Sequence, residues 1–245
     1  MITPKEIELK TMSPEKKASA KNDFFAFYIG RPLSYILTVP FLYTNISPNA
    51  VSIISIIPLL IGFILMCIGT DKVLLTLAWL CVFLWFLLDG VDGNIARYKK
   101  QYSKMGSVYD AMSGYVAMVL SFFGIGVAAA HMHNIPSILN DLNGEIFIIL
   151  GALSGISVIF PRLVMHKAIS TNGDLESVKA VKDKAEYSTV KLIALNITSI
   201  SGFVLVFMIL AVWFDLLAVF TLVYFILNAS VMIVSLKSVL NNKKR

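Results

Sequence analysis

Residues 73–97 read VLLTLAWLCVFLWFLLDGVDGNIAR, and this stretch decides the fold class. Sixteen uncharged residues, Val73 to Leu88, are followed at once by two aspartates, Asp89 and Asp92. A bilayer core about 30 Å thick is crossed by a helix of roughly 20 mostly apolar residues. The stretch therefore predicts a transmembrane helix that carries carboxylates near one end.

The composition extends this prediction to the whole chain. Of its 245 residues, 57% are hydrophobic and 15% are charged, and the mean hydropathy is +0.78. A soluble domain has about 25% charged residues, so these values exclude a water-soluble fold and a disordered chain. Apolar runs long enough to cross a bilayer lie at 50–70, 73–97, 106–131, 144–166, 189–212 and 216–237. We therefore predict an all-α integral membrane protein with six transmembrane helices.

The segment 24–46, FFAFYIGRPLSYILTVPFLYTNI, is apolar enough for a seventh span, but Arg31, Pro32 and Pro40 interrupt it. If it crossed the membrane, the five lysines before it would face outward. If it lies on the surface, 20 of the 21 Lys and Arg residues share one side, and only Lys72 lies opposite. Positive charge marks the cytoplasmic side. We predict an interfacial amphipathic segment, with Arg31 as a surface anchor, and six spans with both termini in the cytoplasm.

This topology divides the chain into three parts. Residues 1–49 are predicted to form a cytoplasmic arm and the interfacial helix, 50–238 the six-helix membrane domain, and 239–245 a basic cytoplasmic tail. The arm is expected to lie against anionic lipids, where each basic residue contributes about 1 kcal/mol. Residues 170–188 predict a cytoplasmic linker helix. The topology accounts for the net charge of +6, and we expect membrane lipids but no nucleic acid as partners.

Three carboxylates lie where a membrane helix should exclude them. Asp89 and Asp92 are three residues apart, on one face of the second span, and Asp110 lies one turn into the third span. A carboxylate inside a span costs about 2.5–3.5 kcal/mol even on the most lenient scale. The hairpin joining these two spans brings all three residues to a similar depth. We therefore predict a site that binds a divalent cation, because hard cations prefer carboxylate oxygens.

Small and basic residues surround these aspartates. Gly90, Gly93 and Ala96 flank the first pair, while Gly106, Asp110 and Gly114 recur every four residues along the third span. Small residues allow either close helix packing or the approach of a ligand to the backbone. The basic residues that follow are Arg97, Lys99, Lys100 and Lys104. A basic rim beside carboxylates fits a diphosphate substrate. The excess of positive charge on the cytoplasmic side is enough to explain the lysines, whereas for Arg97 we predict a function.

Other polar residues in the spans allow two interpretations. Arg162, near the cytoplasmic end of the fourth span, is either a phosphate contact or an arginine whose head group reaches the interface. Lys104 is a second possible phosphate contact. Asn196 and Asn228, in the last two spans, predict hydrogen bonds between helices.

The motif around the aspartates resembles a known signature. Asp89-Gly90-Val91-Asp92-Gly93-Asn94-Ile95-Ala96-Arg97, followed after eight residues by Gly106 and after three more by Asp110, resembles that of the CDP-alcohol phosphotransferases. The upstream stretches Arg31-Pro32-Leu33-Ser34 and Ser47-Pro48-Asn49 also resemble that family. The similarity covers roughly residues 25–130 by motif and the rest only by the six-helix architecture.

The resemblance implies an enzyme that depends on Mg²⁺ or Mn²⁺. Such an enzyme transfers a phosphoalcohol or phosphatidyl group from CDP-diacylglycerol or another CDP-alcohol to a lipid or alcohol acceptor and releases CMP, in the biosynthesis of phospholipids, glycolipids or surface polymers. By resemblance, Asp89, Asp92 and Asp110 are the catalytic residues and hold the metal. Gly93, Ala96, Arg97 and Gly106 would form the nucleotide site. The resemblance also suggests a homodimer.

One position departs from the signature. The pattern continues with a second aspartate four residues after Asp110, usually a metal ligand and general base, but this chain has Gly114 there. Another group then acts as the base, or the acceptor needs little base assistance, or the protein is catalytically impaired. Ser113 and Tyr115 are neighbours in sequence but lie on other helix faces.

Two other functional classes remain open at this point. A relative that binds CDP compounds without catalysis is supported by Gly114. A cation-coupled transporter would also carry aspartates in its spans, but its sites usually lie at the midplane of inverted repeats, and the sequence shows no such repeat.

Overall fold

A computed structural model describes residues 1–132, 139, 142–172 and 189–241 of the protein. Its secondary structure is helical, which confirms the predicted fold class. The α-helices are α1 (Pro4–Thr11), α2 (Pro14–Ala20), α3 (Arg31–Leu42), α4 (Pro48–Ile54), α5 (Ile56–Ile68), α6 (Lys72–Tyr98), α7 (Gly106–His131), α8 (Glu145–Asn172), α9 (Thr189–Thr198), α10 (Leu205–Trp213) and α11 (Leu217–Asn241). Most of the predicted linker helix at 170–188, and residues 242–245 of the predicted tail, lie outside the described residues.

Five helical stretches among these residues are long and apolar enough to cross a membrane, and a bent pair of helices makes a sixth. The five are Pro48–Ile68, Lys72–Tyr98, Gly106–His131, Glu145–Ala168 and Leu217–Leu240, and the bent pair is Leu192–Thr198 with Ile200–Trp213. Each agrees with a predicted span to within a few residues. The orientation of these spans and the positions of the two termini stay predictions.

The fifth predicted span is not a straight helix, because its two halves meet at an angle of 55°. The backbone leaves helical geometry at Gly202, with φ −112° and ψ −134°, inside a π-helical turn at Ile200–Val204. Broken backbone inside a membrane protein needs other hydrogen-bond partners. The Tyr224 hydroxyl supplies one by donating to the Ile197 carbonyl at 2.9 Å. The apolar length of 189–212 predicted a span but not this break.

The amino-terminal arm folds into α1 and α2, which the sequence analysis did not predict. Both helices begin with a proline in the first turn and a side-chain cap: Thr3 Oγ1 accepts from Glu6 N–H, and Ser13 Oγ accepts from Lys16 N–H. Such caps satisfy backbone donors that a short helix leaves free. The arm therefore has regular secondary structure of its own.

The predicted interfacial segment is also helical. A π-helical turn at Ala26–Gly30 runs directly into α3, which has Pro32 in its first turn and contains Pro40. Helix α3 packs beside α6, and its Tyr35 and Thr38 are buried. Its position at the membrane surface stays a prediction.

Polar side chains join the spans at several places. Asn228 Nδ2 donates to Ser154 Oγ at 2.8 Å, which links α11 to α8. The side chain of Asn196 bonds to the backbone of Asn22 and Phe24. The predicted hydrogen bond between spans is confirmed for Asn228, whereas Asn196 bonds to the backbone of the amino-terminal segment and not to another span.

Helices α7 and α8 approach each other closely through glycines. A Cβ at Gly151 would lie 2.6 Å from the Phe122 carbonyl oxygen and 2.9 Å from the Cα atom of Gly126. A Cβ at Gly126 would in turn lie 3.0 Å from the Cα atom of Gly151. These backbone atoms cannot move aside as a flexible side chain can, so the two glycines fix the distance between the helices.

We predict that Gly126→Ala destabilises the protein by about 1–3 kcal/mol, the usual cost of overpacking, because α7 and α8 must separate. The control is Gly114→Ala in the same helix, where an added Cβ meets nothing within 4 Å and the helix propensity of alanine is favourable. Thermal unfolding of both variants in detergent tests this expectation. Equal stability of the two variants would contradict it.

Candidate active site

A cavity of about 450 Å³ lies where α6 ends and α7 begins. Its walls come from α2, the turn at Ala26–Gly30, α3, α4, α6 and α7, and from the loop between the last two helices. Asp89, Asp92 and Asp110 all line it. The structure therefore brings the three predicted aspartates to one cavity.

A buried polar cluster sets the register of the helices below this cavity. Ser113 Oγ lies 2.7 Å from Ser55 Oγ and accepts from Trp85 Nε1 at 2.8 Å. Each member of this cluster lies about one helical turn from a residue that lines the cavity. Trp85 lies one turn before Asp89, Ser113 one turn after Asp110, and Ser55 one turn after Ser52. Because buried polar groups need partners, this cluster restricts how α5, α6 and α7 can slide past one another.

The three carboxylates differ in their surroundings. Asp92 is buried and accepts a hydrogen bond from Ser52 Oγ. Asp89 is half-buried and Asp110 is exposed. In the described part of the chain, neither Asp89 nor Asp110 has a hydrogen bond or an ion pair. Their oxygens are therefore available to a ligand in the cavity.

The donors have the right chemistry for a hard divalent cation, since carboxylate oxygens are its preferred ligands. Within the residues that the structure describes, no group of three His, Cys, Asp or Glu side chains has the spacing of a formed metal site. The three carboxylates thus fit such an ion by type and by their shared cavity, and their side chains would have to draw together around it.

The small residues of the motif have two different roles. Gly93, Ala96 and Gly106 line the cavity, and their assignment to a nucleotide site stays a prediction. Gly90 also lines it, but a Cβ there would lie 2.8 Å from the Cβ atom of Ser34 in α3. Gly90 therefore allows α3 to approach α6, while the other three leave the cavity wall open.

Three basic side chains line the cavity, and sequence analysis predicted only one of them. Arg97 Nη2 donates to Asn94 Oδ1 at 3.2 Å, and Asn94 Nδ2 donates to Thr38 Oγ1 at 3.1 Å. Arg31 and Lys16 also line the cavity, although the sequence analysis assigned both to the membrane surface. The stretch Arg31-Pro32-Leu33-Ser34, which resembles the family, could have indicated that Arg31 lies at the site. No local sequence pattern indicated this for Lys16.

Two predicted phosphate contacts are not part of this cavity. Lys104 is exposed and is not among the lining residues. Arg162 lines a separate cavity of about 200 Å³ between α8, α9 and α11 and donates from Nη1 to the Val158 carbonyl at 2.6 Å. The structure therefore does not bring either residue to the aspartates.

Gly114 does not line the cavity either, although it lies one turn after Asp110. An added Cβ there would meet no atom within 4 Å, so the position has space for a side chain. Its neighbours are engaged elsewhere: Ser113 is in the buried cluster, and the Tyr115 hydroxyl lies 3.1 Å from His166 Nδ1. Neither neighbour points to the cavity as a replacement for the expected aspartate.

Comparison with known protein families matches residues 45–234 to the family described as CDP-alcohol phosphatidyltransferase. The chain belongs to this family. A comparison with curated proteins finds no match. Membership in the CDP-alcohol phosphatidyltransferase family indicates transfer of a phosphoalcohol group from a CDP-linked donor to an alcohol. Cavity residues that precede the matched region are Lys16, Ala26, Gly30, Arg31 and Ser34.

We predict that Gly93→Ala weakens the binding of CDP about tenfold. A Cβ at Gly93 would lie 2.9 Å from Arg97 Nη2, so the guanidinium must leave its position in the cavity, and a hydrogen bond to a charged group is worth about 1.5 kcal/mol or more. Fold should be retained, because only the end of a flexible side chain has to move.

Equilibrium binding of CDP to the purified protein measures this effect, with Gly114→Ala as the control. Gly114 does not line the cavity, and a Cβ there would meet no atom within 4 Å. Equal losses in the two variants would show that the position of Arg97 does not determine affinity.

Proposed function

We propose that this protein is a metal-dependent transferase that moves a phosphoalcohol or phosphatidyl group from a CDP-linked donor to an acceptor hydroxyl and releases CMP. The observation that carries the proposal is the convergence of Asp89, Asp92, Asp110 and Arg97 on one cavity. Family membership supplies the reaction class, and the cavity provides both the acidic and the basic groups that a diphosphate substrate and its metal require.

Asp89, Asp92 and Asp110 are the residues that would hold the metal, either Mg²⁺ or Mn²⁺. When bound, a divalent ion neutralises the diphosphate of the donor and the charge that develops on the departing CMP. No described basic residue forms an ion pair with these carboxylates, which is consistent with their serving a ligand.

Arg97 and the small residues would orient the donor. The guanidinium of Arg97 is held by Asn94, which is itself held by Thr38 of α3, so its donors keep a defined direction toward the cavity. Gly93, Ala96 and Gly106 leave room for phosphate or ribose close to the backbone. Preorganised donors of this kind stabilise negative charge without reorganising during the reaction.

The reaction needs a group that takes the proton of the acceptor. The acceptor oxygen attacks the phosphorus bonded to the alcohol, the bond from that phosphorus to the bridging oxygen breaks, and CMP leaves with the bonding electrons. We assign the proton to Asp89 or Asp110, because each is free of other described hydrogen bonds, whereas Asp92 already accepts from Ser52.

The positions of the substrates follow from the proposed topology. With the basic ends of the spans in the cytoplasm, the cavity opens on the cytoplasmic side, where CDP-linked compounds and polar acceptors are available. Membrane lipids would supply a lipid donor such as CDP-diacylglycerol or a lipid acceptor. A homodimer stays a prediction from the family resemblance.

Release of CMP by the purified protein tests the proposal. We expect release that requires Mg²⁺ or Mn²⁺ and an acceptor when CDP-diacylglycerol and a panel of CDP-alcohols are offered with mixed acceptors. Asp89→Asn, Asp92→Asn and Asp110→Asn should each remove this activity while membrane insertion and thermal stability are retained. Full activity in any of the three would refute the assignment of that residue.

The alternative is a family member that binds CDP compounds without turning them over. Gly114 is the observation that favours it, because general-base assistance contributes typically 10²–10⁴-fold to a rate. Metal-dependent binding of CDP without any release of CMP would establish this alternative.

We predict that Gly114→Asp raises the turnover number. The position has space for a side chain and lies on the same face of α7 as Asp110, so the carboxylate can be added without repacking. Gly114→Asn, which has the same shape without the charge, is the matched control for CMP release. A fall in turnover for Gly114→Asp alone would show that a further negative charge harms the site.

A further inference from the structure

Helix α1 packs against α3 and against α6, whose last residue is Tyr98. Ile7 of α1 is fully buried, and Met12 is buried in the same core as Tyr35 of α3 and Val91 of α6. We use the name amino-terminal cap for residues 1–23.

Polar contacts attach the cap at three further places. The Tyr98 hydroxyl at the end of α6 donates to Glu6 at 2.6 Å, and Lys10 Nζ lies 3.3 Å from the same hydroxyl. Ile2 N–H donates to the Tyr43 hydroxyl at 3.0 Å. Asn196 Nδ2 of α9 donates to the Asn22 carbonyl at 2.6 Å. The cap is therefore attached to the ends of α3 and α6 and to α9.

Lys16 is the cap residue that reaches the cavity. Its neighbour Lys17 pairs with Glu8 at 2.7 Å, which holds α2 against α1. Lys16 has no such acidic partner among the residues described, and it lines the cavity together with Arg31 and Arg97. The fold thus places three cations at one cavity from three separate elements.

Each of the two arginines has a buried donor without a hydrogen-bond partner among the described residues. Arg31 Nε and Arg97 Nε are buried and make no hydrogen bond to any described residue. The three carboxylates of the cavity form no ion pair with them either. Burial, together with the positive charges of Arg97 and Arg31, lowers the pKa of Lys16 to about 8. An anion between these groups would satisfy the free donors and offset their mutual repulsion.

We propose that Lys16, Arg31 and Arg97 form a phosphate-binding subsite, to which the amino-terminal cap contributes Lys16. The inference rests on the proposed function for the identity of its ligand. Two substrates share the required chemistry: the diphosphate of the CDP-linked donor and a phosphate group on a polar acceptor. Lys16 precedes the region that matches the family model, so the match itself assigns no role to this lysine.

Direct binding to the full-length protein in lipid nanodiscs tests the subsite without requiring turnover. The probes are CDP, for the donor, and glycerol 3-phosphate, for a phosphorylated acceptor, with cytidine as the uncharged control. Lys16→Gln should weaken one phosphate-bearing probe about tenfold, the effect of losing one charged hydrogen bond, and leave cytidine unchanged. The probe that is affected identifies which substrate the subsite holds.

Two further variants serve as controls. Lys16→Arg keeps the positive charge and should restore binding, which a merely structural role of the lysine would not explain. Lys21→Gln removes an exposed lysine of the cap that does not line the cavity and should bind like the wild type.

The proposal would be overturned if Lys16→Gln bound both phosphate-bearing probes as tightly as the wild-type protein does. It would also be overturned if the wild-type protein bound neither of these probes. A binding difference without CMP release would support the subsite while the proposed reaction fails. CMP release with unchanged affinities would leave the reaction established and the subsite refuted.

Discussion

A carboxylate inside an apolar helix bundle costs free energy wherever lipid surrounds it, and the packing around Asp89, Asp92 and Asp110 meets this constraint. The structure places all three at one cavity rather than on a lipid-facing surface. Below them, the cluster of Ser55, Trp85 and Ser113 gives buried polar groups their partners. The same hydrogen bonds fix the relative heights of the three helices. The position of the carboxylates therefore follows from hydrogen bonds between neutral side chains one turn away.

The sequence predicted the spans well because hydropathy is a property of each segment by itself. The three aspartates were also predictable, since intramembrane charge is rare and the spacing of the hairpin is local. The cap was not predictable in the same way. Its short polar helices are stabilised by contacts with distant residues, such as Tyr98 with Glu6, and nothing in residues 1–23 alone indicates where they pack. The roles of Lys16 and Arg31 depend on that packing.

The small residues show a related limit. Gly106, Asp110 and Gly114 recur at helical spacing, which predicts one shared face. The structure agrees that they follow one face of α7, but the cavity includes only the first two, because it ends within about two turns of the start of the helix. Periodicity gives the direction of a side chain around a helix, whereas the depth of a cavity along the helix depends on what the neighbouring helices fill.

The bent fifth span ties the amino-terminal cap to the membrane helices. Asn196 lies just before the bend, and its amide bonds to the Asn22 carbonyl and to the Phe24 N–H. Lifting the cap would take the Asn22 carbonyl away from Asn196 Nδ2, which would keep only the Leu192 carbonyl as an acceptor. The loss of a hydrogen-bond partner is costly inside a membrane helix, so this contact resists displacement of the cap and keeps Lys16 at the cavity.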